Sequence, residues 1–224
     1  MNLFDFFKKK NAPAPVTTSE DKDIAPPDSS PLSHTGNLLT MEEKLENFYQ
    51  LPTRSNLIEI AKILSNNAPQ AVEEFTLLVN DSEKFYQKHQ EYCDENYDGA
   101  PQSWDILSLT ADWLTGQNMP VESFKYGGFI DWKETTKNIL WHLEQAKEQL
   151  GYPLSLTDIK LTKERPTNEV LHEINQHLSK QGYTLATLNI HGDCYHLFMV
   201  PKNQYLQLYN LGQEIGFEFY EDYI

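Results

Sequence analysis

The sequence predicts an α+β fold, in which an N-terminal helical layer is followed by a small antiparallel sheet with packed helices. Two observations predict this class: apolar residues recur at helical spacing in the first part of the chain, and from Tyr183 onward their period becomes two. A third observation is that residues 11–37 are rich in Pro, Ser, Thr and Asp and nearly lack large apolar side chains, whereas residues 1–10 hold Leu3, Phe4, Phe6 and Phe7 before a run of three lysines. We therefore expect a disordered tail or linker over residues 1–37 and a single α+β domain over 38–224.

The first part of that domain, to about residue 116, is expected to be helical. Apolar stripes at Met41–Phe48, Leu57–Leu64 and Val72–Val79 predict three helices, and a fourth is expected from Ser82 to Cys93. Between Trp104 and Leu114 apolar residues line both sides of a fifth helix, which indicates a buried central helix.

From about residue 117 onward we expect mixed α and β structure. The stretch KYGGFIDWKE predicts a turn and a short strand, and Pro166 is a suitable first residue for a helix that Gly182 follows. The remaining predicted elements are a long helix through Ile139–Leu150, strands Tyr183–His191 and Cys194–Val200, a helix near Gln204–Leu211 and a final strand in GFEFYE.

The hairpin carries the first candidate site. A two-residue Gly192-Asp193 turn would place His191 opposite Cys194 and Asn189 opposite His196. His191, Cys194 and His196 would then share one face, where they could bind zinc or set a thiol beside an imidazole base. The alternative is a polar sheet face with a structural role only. In this predicted register, the polar face would consist of Thr187, Asn189, His191, Cys194, His196 and Phe198. The opposite face, directed at the core, would consist of Ala186, Leu188, Ile190, Tyr195, Leu197 and Met199.

The stretch DENYDGAPQSWD, Asp94–Asp105, carries the second candidate site. Asp94, Asn96 and Asp98 occupy positions 1, 3 and 5 of a calcium-loop pattern, and Asp105 occupies position 12. Asp instead of Glu at position 12 departs from the pattern, as does Pro101 at position 8. The alternative is a turn at Asp98 followed by a helix whose positive end Asp105 complements.

The charge of the chain bears on its partners. It has 18 basic and 33 acidic residues, and the first 40 residues hold four and five of these, so 14 basic and 28 acidic residues lie beyond residue 40. Such a surface repels phosphate backbones and anionic membranes, which excludes nucleic acid and membrane as expected partners. It suits a basic protein. No secretory signal or membrane-length apolar stretch is found, so a cytoplasmic location is expected.

Three segments carry a resemblance to a known family: SWDILSLTADWL, YGGFIDWKE and CYHLFMVPKNQYLQLYNLGQEIGFEF. From Trp104 to Phe219 the chain resembles a bacterial family catalogued as a domain of unknown function. The resemblance implies one α+β domain there and no assigned activity. In its acidity, its aromatic content and its lack of catalytic motifs, the chain is also similar to immunity proteins of bacterial toxin systems.

The resemblance to immunity proteins implies a non-enzymatic protein that blocks the active site of a basic toxin, with no cofactor. The candidate contact residues are Glu214, Glu218, Tyr220, Glu221, Asp222 and Tyr223 in the C-terminal segment, and Asp94, Glu95 and Asp98 in the acidic loop. Two alternatives stay open. One is a metal-binding protein or metalloenzyme that uses calcium or zinc, and the other is a scaffold protein whose N-terminal tail recruits partners.

Overall fold

The computed structural model describes residue 48 and residues 53–117, 124–159, 165–221 and 223. These all belong to one compact unit, Leu38–Ile224. The tail predicted over 1–37 and the helix predicted at Met41–Phe48 lie outside the described residues, apart from the fully buried Phe48. The elements are α1 Asn56–Leu64, α2 Pro69–Asn80, α3 Ser82–Lys88, α4 Gln90–Tyr97, a 3-10 helix Ser103–Asp105, α5 Ile106–Thr115, β1 Gly127–Asp131, α6 Thr136–Leu150, α7 Thr167–Ser179, β2 Tyr183–Asn189, β3 Cys194–Pro201, α8 Lys202–Ile215 and β4 Glu218–Tyr220.

The helical layer follows the predicted stripes, with one exception. The single helix predicted over Ser82–Cys93 is broken at His89, where φ is −124°, into α3 and α4. The imidazole of His89 lies 2.7 Å from the buried carboxylate of Glu74, and its ring centroid is 4.6 Å from that of Trp113. Tertiary contacts of one side chain therefore override a helical pattern that is continuous in the sequence.

Helix α5 is the central helix that the sequence predicts. Apolar residues on both of its sides are buried, including Ile106, Leu109 and Trp113. The Trp113 ring lies among those of Phe85, His89, Tyr92 and Phe124, with centroids 4.6–5.7 Å away. This aromatic cluster fixes α5 against α3 and α4. Within the described ranges, no helix is long and apolar enough to cross a membrane.

The four strands form one antiparallel sheet in the order β1-β3-β2-β4. Helix α6 lies on one face, since a Cβ on Gly128 would come within 2.9 Å of the Cβ of His142. Helix α8 lies on the other face, since a Cβ on Gly212 would come within 2.8 Å of the Phe219 ring. Because both faces are covered, four consecutive residues of β3, Leu197–Val200, are completely buried.

The register of the hairpin differs from the predicted one by one residue. Leu188, and not the predicted Asn189, pairs with His196. In this register Ile190 stands opposite Cys194, and the loop between them has three residues instead of the predicted two. His191 accepts a left-handed conformation, with φ +57°, and its N–H donates to Asn189 Oδ1 over 2.9 Å. A slip of one residue exchanges the faces. The expected polar face is therefore wrong: His196 shares its face with Leu188 and is fully buried.

Candidate functional site

The C-terminal carboxylates predicted to bind a partner are exposed and already hydrogen-bonded within the chain. Glu214 accepts from Asn56 Nδ2 over 2.7 Å, and Glu218 accepts from Asn189 Nδ2 over 2.9 Å. Glu221 accepts from the hydroxyl of Thr184. These contacts tie the end of the chain to α1 and β2. The side chains of the three glutamates therefore contribute to holding the C-terminal segment in place.

Tyr223 is a structural residue, which corrects its prediction as a partner contact. Only 6% of it is exposed, and its hydroxyl donates to the Leu185 carbonyl over 2.8 Å and lies 2.9 Å from Thr187 Oγ1. Burial raises the pKa of this phenol well above its usual value. Tyr220 is half-buried on the edge strand β4, and Asp222 lies outside the described residues. With 6% of its surface exposed, Tyr223 offers a partner little area to contact.

The predicted calcium loop is not a loop. Asp94 and Asn96 lie within α4, where Asp94 accepts from the Tyr86 hydroxyl over 2.8 Å and Asn96 donates to the Tyr92 carbonyl over 2.8 Å. The chain turns only at Asp98, with φ +56°. Asp105 accepts from the Gln102 backbone N–H over 2.8 Å, in agreement with the alternative helix-start interpretation.

The three zinc ligands predicted in the hairpin, His191, Cys194 and His196, do not form a three-ligand site. His191 lies on the exposed loop, while Cys194 Sγ and His196 Nε2 lie 3.8 Å apart. In the part of the chain that the structure describes, no group of three or more His, Cys, Asp or Glu side chains could hold a metal ion. The expected trio is therefore reduced to a pair.

A larger acidic surface connects the Asp94–Asp105 region to the hairpin. Asp98 and Asp105 interact electrostatically, and so do Asp105 and Tyr97. Tyr97 also hydrogen-bonds Asp112 of α5, and Asp112 in turn acts on Cys194. The charges of two further carboxylates reach Cys194. We call the residues linked by these interactions the aspartate surface; its members are Asp112, Asp131 and Asp193, which act on Cys194, and Asp98 and Asp105, which connect to them through Tyr97.

The electrostatics of this surface are uniformly negative. Burial raises the pKa of Asp112 to about 7, although its hydrogen bond with Tyr97 lowers it. Burial and the three nearest carboxylates raise the pKa of Cys194 to about 11. Among the described residues, no lysine or arginine contributes to the pKa shifts of Asp105, Asp112 or Cys194. Lys133 lies two residues after Asp131, and its backbone N–H donates to Asp131 Oδ1 over 2.8 Å.

These values also limit what the thiol can do. A cysteine is nucleophilic as a thiolate, and catalytic cysteines have low pKa values in electropositive surroundings. Cys194 has the opposite environment. Burial lowers the pKa of His196 to about 4, so its imidazole is neutral at physiological pH and offers no positive charge to stabilise a thiolate. The pair is not arranged for nucleophilic catalysis.

Two exposed tryptophans lie beside the aspartates in sequence. Trp104 precedes Asp105 and is 60% exposed, while Trp132 follows Asp131 and is 51% exposed. The Lys133 ammonium lies 4.0 Å from the centre of the Trp132 ring. Trp141 is 53% exposed as well, so exposure alone does not mark these two side chains, but tryptophans are enriched among the residues that contribute most to binding at protein interfaces.

Sequence reasoning missed Asp112. Its only signal is an acidic residue within LTADWL, a helix that is otherwise apolar on both sides. A carboxylate at such a position is either buried or lies at an opening in the core. In the structure Asp112 is half-buried, hydrogen-bonds Tyr97 and acts on Cys194.

The fold and the site together define an α+β domain with a helical layer, a sheet covered on both faces and an anionic surface. Residues 56–223 match the family model described as a domain of unknown function, DUF6630, and the chain belongs to that family. This confirms the predicted resemblance and extends it from Trp104 back to Asn56. No curated protein and no solved structure matches the chain.

Proposed function

We propose that this protein is a cytoplasmic bacterial inhibitor of the immunity type, which binds a basic toxin such as a nuclease and blocks its active site without catalysing a reaction. The observation that supports it most is the aspartate surface, where Asp112, Asp131 and Asp193 all act on the Cys194 thiol and Asp98 acts on Asp105, while no basic side chain contributes to the pKa shifts of Asp105, Asp112 or Cys194. Beyond residue 40 the chain has 14 basic and 28 acidic residues, which add to the same negative potential.

The chemistry of a nuclease explains why such a surface is suitable. An enzyme that binds phosphates presents lysine and arginine side chains in its active site, and clustered carboxylates can occupy the same positions. Opposite charges also steer the two proteins together, which raises the association rate at low salt. An inhibitor must bind its toxin before the toxin finds its target, so a fast encounter is an advantage.

The exposed tryptophans would supply apolar contact area, which charged side chains do not provide. Trp104 and Trp132 offer broad apolar faces on which arginine side chains of a partner can stack. Residues of this type contribute most of the binding energy in many interfaces, while charged residues contribute orientation and rate. The proposed interface therefore combines anionic steering with two aromatic contacts.

The C-terminal carboxylates Glu214, Glu218 and Glu221 form the second candidate surface for the same partner. They are exposed, but each already accepts a hydrogen bond from its own chain. A partner would have to replace or share these contacts. For that reason we assign the aspartate surface the main role, and the C-terminal set supplies a control of equal charge.

Charge reversal distinguishes the two surfaces. One variant carries Asp98→Lys, Asp131→Lys and Asp193→Lys, which are exposed members of the aspartate surface. The matched control carries three lysines at the C-terminal glutamates, so both variants change the net charge equally. The binding partner is first isolated from the host with the tagged wild-type chain, and its affinity for each variant is then measured by calorimetry.

We expect the aspartate variant to bind on the order of 100-fold more weakly and the control to lose far less affinity. Circular dichroism verifies that both variants are folded. Equal losses in the two variants would show that only net charge matters. A loss confined to the control would move the interface to the C-terminal surface, and an acidic partner would contradict the proposal as a whole.

A further inference from the structure

Cys194 and His196 form an isolated pair of soft ligands. They are two residues apart on β3 and lie on the same face, which brings Cys194 Sγ to 3.8 Å from His196 Nε2. His196 is fully buried, and its Nδ1 has no hydrogen-bond partner among the described residues. The imidazole therefore meets one soft partner, Cys194, through Nε2, while its Nδ1 side faces the backbone of Ala111.

The surroundings of the pair favour a bound cation. Asp112, Asp131 and Asp193 all exert their negative charge on the Cys194 thiol. The thiol is half-buried, so it can be reached from solvent, while the imidazole behind it is enclosed. The Phe129 ring packs on the imidazole, with centroids 5.2 Å apart, and limits its rotation.

The other side of the imidazole resembles the usual support of a metal-binding histidine. The backbone of Ala111 lies near enough to the ring to favour its protonated form. Histidines that bind metals commonly direct their second nitrogen at a carbonyl or carboxylate, which orients the ring and its free lone pair. In this position Nε2 is the nitrogen left to face Cys194.

We propose that Cys194 Sγ and His196 Nε2 bind one soft monovalent metal ion, of the Cu(I) type, at the edge of the aspartate surface. A linear two-coordinate ion with bonds of about 2.3 Å to sulfur and 2.0 Å to nitrogen needs a sulfur–nitrogen separation of about 4.3 Å, so the Cys194 side chain must open the present 3.8 Å contact by about 0.5 Å on binding. Thiolate ligands select Cu(I), which accepts low coordination numbers. A structural zinc ion takes four ligands, and the described residues do not gather even three acidic, Cys or His ligands.

The binding step is a proton exchange. The metal ion bonds to Cys194 Sγ and to the lone pair of His196 Nε2, and the thiol proton leaves to solvent, so that one proton is released for each ion bound. The resulting thiolate–metal unit is neutral. The proposal is independent of the proposed inhibitor function, since it involves only these two side chains as ligands.

Silver ion, Ag(I), is the test ion because it has the charge and softness of Cu(I) and needs no reductant. The full chain is titrated with it by calorimetry in two buffers of different ionisation enthalpy, and the complex is counted by native mass spectrometry. Three variants are compared: Cys194→Ser, His196→Gln and the control Cys93→Ser, which removes the other cysteine, itself fully buried.

We expect one ion and one released proton per wild-type chain, unchanged stoichiometry in Cys93→Ser, no site in Cys194→Ser, and at least a tenfold weaker site in His196→Gln. Because His196→Gln changes a buried residue, nitrogen NMR of the wild-type imidazole is a second readout, in which Nε2 must shift on binding. Binding that survives in Cys194→Ser, or an Nε2 signal that silver leaves unchanged, would overturn the proposal and leave the pair as a structural contact only.

Discussion

Asp112 allows a quantitative test of the aspartate surface. Its carboxyl group is half-buried in α5, and burial raises its pKa from 3.8 to about 7. The folded state therefore holds a proton on Asp112 over a range of pH where the unfolded state has lost it. The stability associated with this group is present below pH 3.8, falls as the pH rises from 3.8 to about 7, and is constant above that.

The substitution Asp112→Asn removes this loss and keeps the shape of the side chain. A difference of one pKa unit corresponds to about 1.4 kcal/mol, so the full shift would be about 4 kcal/mol. Since the carboxyl group is partly accessible to water, we expect a smaller gain of about 1–2 kcal/mol at pH 8 and almost none at pH 4.

The assay is urea unfolding of both proteins at intervals between pH 4 and pH 8, with Asp193→Asn as control. Asp193 is exposed on the hairpin loop, and its substitution should change the free energy of unfolding by less than about 0.5 kcal/mol. The reasoning is refuted if the difference between Asp112→Asn and the wild type is flat across this range, or if the variant is less stable at pH 8.

Two further substitutions test the parts of the fold that position the site. Tyr223→Phe leaves the Leu185 carbonyl and the Thr187 hydroxyl without their buried partner. The free energy of thermal unfolding should therefore fall by about 1–3 kcal/mol, while the affinity for the partner stays unchanged. A variant that is as stable as the wild type but binds the partner more weakly would restore the partner-contact interpretation. Gly128→Ala places a methyl group 2.9 Å from the Cβ of His142, so α6 must move away from the sheet. The free energy of unfolding in denaturant should therefore fall by about 1–3 kcal/mol. An unchanged denaturant midpoint would show that α6 does not pack against Gly128.

Most of the fold could be predicted because hydrophobic periodicity records burial directly. The stripes of α1, α2 and α5 are buried as expected, and the final strand predicted in GFEFYE is present as β4, with Phe219 buried and Glu218 exposed. The family match over residues 56–223 was also expected in its second half. In these segments the apolar face of each helix or strand becomes buried, and the spacing of apolar residues in the sequence identifies that face.

The sequence predictions were wrong where the local structure depends on the conformation of a single residue. The hairpin register depends on the left-handed His191, and periodicity does not encode the length of a turn. The break between α3 and α4 depends on the contact of His89 with Glu74, which is distant in sequence. The calcium-loop pattern failed because α4 continues through Asp94, where helical hydrogen bonds outcompete an unliganded loop.

The candidate site was only partly predictable for the same reason. Asp98 was selected from the sequence because it stands in an acidic run, whereas Asp112 and Asp131 come from different elements and become neighbours of Cys194 only through the fold. An anionic surface assembled from α4, α5, β1 and the hairpin has no linear signature. Net charge predicts the sign of the partner, and the structure is needed to say where it binds.

The most direct test of the account is the native mass spectrum of the tagged wild-type chain, recovered from its own host under gentle conditions. We predict a one-to-one complex with a second polypeptide of high isoelectric point, which dissociates as the salt concentration is raised. A spectrum that contains the free chain alone, or a complex with an acidic or neutral polypeptide that is insensitive to salt, would contradict the proposed function.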